Sequence, residues 1–459
     1  MTCTSNSTGS RRTLRFAALA LLAACGSASA QIQIGDPVPH QFVARIVVGG
    51  DINNVALTHG LTLARQLNDD RVYLLEGFVG DDDESELAEL EGDDEVESVE
   101  KNRYVGGPEG NTQSFFMSAT PQLIDTQPVV PFLQIPAAWG YSDGTGITVA
   151  VLDTGVAPHP RIASRILTTG YDFILDTPGA VEVPQGVDTN GDGIVDQLFG
   201  HGTFVSGLTN LVAPGASILP VRVLDSDGVG TSFSVAAGIY HAIANGAKVI
   251  NLSLSTPEKD EAIDIAIQEA EAAGVVVVAS VGNDNSHAKR YPAGNTHVVS
   301  VSATAMDDVK APFSNYGSYV EMSAPGIDLV SLMPNGGYAM ASGTSFSAAL
   351  VSGTAALARS AFPSETPAET RARLLSRGPS VDGVNPGYHG QLGHDRVAPL
   401  AVVQSCLADF NNDTFLDFSD FDAFVAAFEG GLATADVNFD GFLDFTDFDT
   451  FVVAFEAGC

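Results

Sequence analysis

Basic side chains are scarce in this chain. Its 459 residues hold 21 Lys and Arg against 56 Asp and Glu, a formal net charge of −35 at pH 7. A nucleic-acid partner requires a basic face, so that class is set aside. The acidic excess suits a soluble extracellular protein that binds cations, with plain solubility or a saline habitat as the alternative. Cysteine is sparse too. Of the four, Cys3 and Cys25 fall near the N-terminus, and Cys406 and Cys459 bracket the last segment. That pair is placed to staple the segment's ends in an oxidising compartment. Beyond residue 30 no run is long and apolar enough for a transmembrane helix.

Residues 1–30 carry a targeting pattern. Arg11, Arg12 and Arg15 precede the short apolar run Phe16 to Ala24, and Ala28-Ser29-Ala30 suits cleavage before Gln31. The expected outcome is secretion. Arg11-Arg12 also resembles a twin-arginine export signal, and Leu22-Ala23-Ala24-Cys25 resembles a lipoprotein box, which leaves open a lipid anchor on Cys25 at the cell surface.

The rest is too long for one small domain. Residues 37–117 read as a small α+β unit. Strands are expected at Phe42 to Val48, Arg71 to Leu75 and Glu95 to Glu100, a helix over Val55 to Leu67, and an acidic stretch at residues 81–84. Between Tyr104 and Gln122 the composition predicts an exposed linker. From 118 to 403 apolar β-branched runs alternate with helical stretches. Strands are expected at 147–152, 218–223, 249–254, 274–278 and 297–301, with helices over 232–245 and 258–273. This predicts an α/β fold with a doubly wound, mostly parallel sheet, whose site lies at the carboxyl ends of the strands.

Chemistry collects at those ends. Gly343-Thr344-Ser345 opens a small-residue helix and presents the Ser345 hydroxyl on a turn, although Ser is also a favoured helix cap. The run Ile147 to Leu152 delivers Asp153 to its carboxyl end. Gly200-His201-Gly202-Thr203 puts an imidazole at the start of another helix. Acyl transfer needs these three groups: Ser345 as nucleophile, His201 as base then acid, and Asp153 to orient the imidazole. Asn283, leaving the strand after Gly282, is suited to donate to an oxyanion.

On Val151-Leu152-Asp153-Thr154-Gly155, Gly200-His201-Gly202-Thr203, Ile250 to Leu254, Gly282-Asn283 and Gly343-Thr344-Ser345, the chain resembles the subtilisin-like serine proteases from about Gln134 to Val403. The resemblance implies peptide-bond hydrolysis of polypeptide substrates by Asp153, His201 and Ser345, with Asn283 as oxyanion donor. It implies that Ser253, Leu254 and Gly282 line the substrate cleft. It also implies that residues 37–117 are an inhibitory propeptide removed between Tyr104 and Gln122; an attached N-terminal domain is the alternative. Departures are Ser255-Thr256 in place of two glycines, Ala349 in place of a proline, and Arg290 near the pocket. Arg290 either favours acidic substrates or pairs with Asp284, and the pairing is preferred. A lone Asp153-Thr154-Gly155 lacks the second copy an aspartic protease needs. A rival class is a non-catalytic surface protein on the same scaffold.

Two stretches have calcium-loop spacing. Between acid and base lie Asp188, Asn190, Asp192, Ile194 and Asp196, with a turn as the alternative reading. Residues 405–459 repeat a loop and helix with a period of 27: Asp409, Asn411, Asp413, Phe415, Asp417 and Asp420, then Asp436, Asn438, Asp440, Phe442, Asp444 and Asp447. Phe415 and Phe442 would contribute backbone carbonyls. This segment has twelve acids and no Lys or Arg, so calcium and folding should be coupled. It resembles a dockerin, which implies a small all-α module that docks to a cohesin-like or surface partner; a calcium-stabilised cap is the alternative. Thr414, where a glycine is usual, is a departure.

Overall fold

The computed structural model describes residues 31–67, 71–80, 82–111, 117–411, 415–438 and 442–458. At its centre is an eight-stranded sheet. Its order is Met322–Pro325, Val298–Thr304, Val276–Ser280, Val249–Leu252, Thr148–Asp153, Ser217–Arg222, Tyr171–Asp172 and Thr177–Pro178. The first seven strands are parallel and only the last pair is antiparallel. The physical reason is visible in the strand Thr148–Asp153. Val149 and Val151 pack into one core, Ala150 and Leu152 into the other, and all four are fully buried. A strand apolar on both faces needs helices on both faces. The helices His201–Val212 and Thr344–Ala361 cover one side, and Ser232–Ala244 and Glu261–Ala272 the other.

The N-terminal unit is a four-stranded antiparallel sheet with two helices, Ile52–Thr58 and Asp83–Glu91. The helix expected over Val55 to Leu67 is half right. The chain leaves the helix after Thr58, turns at Gly60 with φ +71°, and continues as the strand Thr62–Leu67. A left-handed residue breaks the helical hydrogen-bond ladder, and sheet pairing to Val72–Glu76 then wins over local propensity. The acidic stretch begins the second helix: Asp82 caps it, and Asp83, Glu84 and Glu86 sit in its first turn, where the helix dipole favours negative charge.

The two units share a sheet. The strand Val96–Gly106 pairs antiparallel with Val229–Thr231 of the α/β domain. Side chains from that strand also cap two helices across the interface. Asn102 Oδ1 accepts from Phe233 N at 3.1 Å, and the Glu100 carboxylate accepts from Glu261 N and Ala262 N at 2.9 and 2.8 Å. These helix-end N–H groups have no partner within their own helices.

The C-terminal segment forms two helices, Phe418–Glu429 and Phe445–Ala457, around phenylalanines. Phe424 and Phe451 are fully buried and stacked 4.1 Å apart. Gln134 Nε2 donates to the Asp436 carboxylate at 3.2 Å, joining this module to the α/β domain. Cys406 is disulfide-bonded; Cys3, Cys25 and Cys459 lie outside the described residues, as do the targeting pattern and Thr414. Among the described residues no helix is long and apolar enough to cross a membrane.

Burial, and then the charge of neighbouring Asp260, push the Glu100 carboxyl up to about 8 from 4.5. The folded chain therefore holds a proton that the unfolded chain has already released, so stability falls as pH rises through that window. The heat-unfolding midpoint of the full chain should fall between pH about 4.5 and about 8. Glu100→Gln should flatten the slope; an equal slope in the variant would show that this carboxyl does not titrate there.

Candidate active site

Asp153 ends its strand at the carboxyl edge of the sheet, and is fully buried. Its Oδ1 accepts from Thr154 N at 2.7 Å. His201 is the first residue of the helix His201–Val212, and its Nδ1 lies 2.8 and 3.0 Å from the two Asp153 oxygens. The approach is close because residue 202 is Gly: a Cβ there would meet the Gly155 carbonyl oxygen at 2.1 Å. Ser345 opens the helix Thr344–Ala361. That helix is held against its neighbour by Phe346 and Phe204, with ring centroids 4.5 Å apart. Ser253 Oγ donates to the Ser345 carbonyl at 3.1 Å, and Asn251 donates to Ser253 Oγ at 2.8 Å. The Asn283 carbonyl accepts from Thr344 N and Oγ1 at 3.0 and 2.9 Å, which aims its amide nitrogen at the site.

One more group sits here that was not legible in the sequence. The Glu109 carboxylate enters from the N-terminal unit and touches His201, Ser345 and Asn283 at once. Its Oε2 lies 3.1 Å from His201 Nε2 and accepts from Ser345 Oγ at 2.8 Å. Its Oε1 accepts from Asn283 Nδ2 at 3.0 Å and from Ser345 N at 3.4 Å. Oε1 thus stands in for an oxyanion, and Oε2 for the oxygen that would exchange a proton between serine and histidine. Burial alone would push the His201 imidazole down; the charges and hydrogen bonds of Asp153 and then Glu109 outweigh it and hold the imidazole well above its ordinary value. The Glu109 carboxylate also covers the site.

The preceding residues explain how Glu109 gets there. Gly106 N donates to Ser255 O at 3.1 Å and Ser255 N to Gly106 O at 2.7 Å, while Gly107 N donates to Gly228 O at 3.0 Å. The segment is extended between two strands, as a peptide added to a sheet edge would be. Residues 105–109 are buried, which corrects the first part of the exposed linker expected between 104 and 122, whereas residue 118 and residues 120–122 are exposed as expected. The turn Pro108–Asn111 then lifts the main chain away. Leu254 is fully buried beside this cleft, and Gly282 N donates to Thr344 Oγ1 at 3.2 Å. A cavity of about 440 Å³ adjoins the segment, lined by Gly107, Ser255, Asp284 and Arg290 among others. The Arg290 guanidinium pairs with Asp284 at 2.9 Å, as the pairing reading expected.

In the loop between acid and base the candidate residues hold backbone N–H groups. Asp188, Asn190 and Asp192 accept from Gly193 N, Asp192 N and Ile194 N at 3.0, 2.8 and 2.8 Å. The Asp196 oxygens accept from Gln185 N, Gly186 N and the Ser226 hydroxyl, and so clasp a turn. In the C-terminal repeat, Asp409 and Asp436 are buried, and Asp420 and Asp447 fully so. Asp420 accepts from Asn411 N and Asp417 N at 3.1 and 3.0 Å, and Asp447 from Asn438 N and Asp444 N at 3.2 and 3.0 Å. Asp417 and Asp444 cap the following helices. Asp413 and Asp440 lie outside the described residues.

A family model described as the subtilase family, Peptidase S8, matches residues 144–394. Thermitase of Thermoactinomyces vulgaris is 39% identical over 226 residues, 49% of this chain and 79% of thermitase. Subtilisin BL of Lederbergia lenta is 36% identical over 263 residues, 55% of this chain and 91% of that protein. The crystal structure of fervidolysin from Fervidobacterium pennivorans, described as a keratinolytic enzyme related to subtilisin, aligns with a TM-score of 0.67. It is 22% identical, with 83% of this chain and 64% of that one covered, and speaks for the fold alone.

Hydrogen bonds to a charged group are worth about 1.5–3 kcal/mol each, so removing the Glu109 carboxylate should free the site by about ten-fold or more. Freshly folded full-length Glu109→Ala should react with a fluorophosphonate at Ser345 that much faster than the parent, followed by mass spectrometry. Equal rates would show that Glu109 does not restrain the serine.

Proposed function

The chain belongs to the subtilase family, and from that premise we propose a secreted serine endopeptidase made as a self-inhibited precursor. The observation that carries this reading is the convergence of His201 Nε2 and Ser345 Oγ on one carboxylate oxygen, and of Asn283 Nδ2 and Ser345 N on the other. Replace that carboxylate by a scissile carbonyl and the roles follow. The Ser345 oxygen attacks carbon, and His201 takes its proton and later gives it to the leaving amine. Asp153 holds the imidazole tautomer and stabilises the imidazolium. Asn283 and the Ser345 N–H receive the oxyanion. Substrate backbone pairs with Ser255 and with Val229–Thr231, where residues 104–107 now pair. Such main-chain pairing gives affinity with little sequence demand. Arg290, neutralised by Asp284, confers no strong preference for acidic side chains.

Residues 37–117 then act as the inhibitory propeptide, and the signal pattern at 1–30 sends the chain out of the cell. The continuous sheet, the two helix caps and the Glu109 contacts support the first of these. For the C-terminal repeat we propose two calcium sites, held by Asp409, Asn411, Asp413, the Phe415 carbonyl, Asp417 and Asp420, and by their counterparts from Asp436 to Asp447. The fit rests on an all-oxygen donor set with fully buried carboxylates and no cationic side chain in the module. Bound calcium would neutralise these carboxylates and tie each loop to its helix. Asp188, Asn190, Asp192, the Ile194 carbonyl and Asp196 are a weaker set, because Asp196 already holds Gln185 N, Gly186 N and the Ser226 hydroxyl. A docking role for the module is supported by Phe415, Phe418, Phe442 and Phe445, which are 70–79% exposed at equivalent positions of the two repeats.

A serine-directed fluorophosphonate should label the wild-type enzyme at one site and fail to label Ser345→Ala; labelling that survives the substitution counts against the assignment. Chelation of calcium should remove the helical circular-dichroism signal of the C-terminal module and calcium should restore it. An unchanged spectrum sinks coupled folding.

A further inference from the structure

Glu182 lies in the irregular segment between Asp153 and His201, on neither a strand nor a helix, yet it is only 3% exposed. Four donors converge on it. Oε1 accepts from the Thr154 hydroxyl and from Gly200 N at 2.8 Å. Oε2 accepts from the Thr203 hydroxyl and from Thr203 N at 3.1 Å. Thr203 Oγ1 also accepts from Ala157 N at 2.8 Å, and Thr154 Oγ1 from Gly202 N at 3.0 Å, while Thr154 Oγ1 lies 3.2 Å from Asp153 Oδ1, so the Thr154 hydroxyl links the two carboxyls. Two hydroxyl and two amide groups around two oxygens suit an ionised carboxylate. Burial raises this carboxyl above its ordinary value, and the Thr154 and Thr203 hydrogen bonds only partly offset it.

The donors are not random neighbours. Thr154 follows Asp153, and its own N–H holds Asp153 Oδ1. Gly200 precedes His201, and Thr203 lies in the first turn of the His201 helix. A buried carboxylate beside Asp153 would ordinarily be unfavourable; here it sits where the acid's turn and the base's helix must be kept in register. We propose that Glu182 is a positioning residue of the triad, fastening the turn after Asp153 to the helix start at His201 and adding negative charge behind the pair. This rests on the hydrolase reading above. Acid–base transfer tolerates little displacement, and a shift of about 1 Å can lose about a hundred-fold in rate. The added charge favours the imidazolium that forms when Ser345 loses its proton. The titratable groups around His201 are Asp153 from the strand, Glu109 from the N-terminal unit, and Glu182 through Thr154 and Gly200.

The test uses enzyme that has processed itself from the full-length chain, freed of the N-terminal unit and therefore of its charge. Glu182→Gln should lower kcat by about ten- to a hundred-fold with KM within about two-fold. Losing an anion near the imidazole lowers its pKa, so the acid limb of kcat/KM should move to lower pH by about half a unit. Thr203→Val keeps the carboxylate and removes one donor. It should lower kcat by a smaller factor and leave the limb in place. It also serves if Glu182→Gln does not fold. Fluorophosphonate labelling of wild-type Ser345 reports separately on the hydrolase reading. With that labelling intact, wild-type kcat and an unmoved limb in Glu182→Gln, or wild-type kcat in Thr203→Val, overturns the positioning role.

Discussion

The hydrogen bond between His201 Nδ1 and the Asp153 carboxylate is the contact on which the rest of the molecule depends. It decides which imidazole nitrogen faces Ser345, and it does so in a site with no solvent to compete. Two elements must meet for it to exist: a strand that delivers a carboxylate at its carboxyl end, and a helix whose first residue is the histidine. The parallel sheet provides both, because crossover helices begin where strands end. Gly202 lets the helix start come within contact of the Asp153 turn.

The same donors that would receive an oxyanion hold an anion now. Glu109 takes the amide of Asn283 and the N–H of Ser345, and its other oxygen engages both proton-transfer partners. The segment before it is bound as a substrate strand is bound, yet the turn Pro108–Asn111 presents a side chain where a scissile carbonyl belongs. Covalent continuity, an extended sheet, two helix caps and one carboxylate therefore act together. None of these contacts is strong alone; their joint effect comes from being tethered to one folded unit.

Negative charge is organised at both ends of the molecule. In the α/β domain, Asp153 and Glu182 are buried carboxyls held by donors from adjacent turns. In the C-terminal module, Asp420 and Asp447 are buried with equivalent backbone partners in each repeat, around a phenylalanine core. Buried carboxylates survive only when compensated. The first group is compensated by N–H and O–H donors; the second lies in a segment with no Lys or Arg.

Local signals carried much of this. The strands of the large sheet were legible because an apolar run buried on both faces has a simple pattern, and Asp153, His201, Ser345 and Asn283 because each stands beside glycines at the end of such a run. The repeat of calcium-loop positions every 27 residues was equally open to reading. What local pattern could not decide was where pairing overrides propensity, as in Thr62–Leu67, or which of several acids is spent on backbone N–H groups, as Asp196 is. Nor did anything beside Glu109 or Glu182 mark them. Glu109 meets its partners 92 and 236 residues away, and Glu182 works through neighbours of the triad rather than beside it in sequence. The chain alone determined where Asp153, His201, Asn283 and Ser345 stand, because short-range patterning places them at strand and helix ends. The folded structure alone decided which carboxylates lie beside them, because those contacts exist only once distant segments share one buried space.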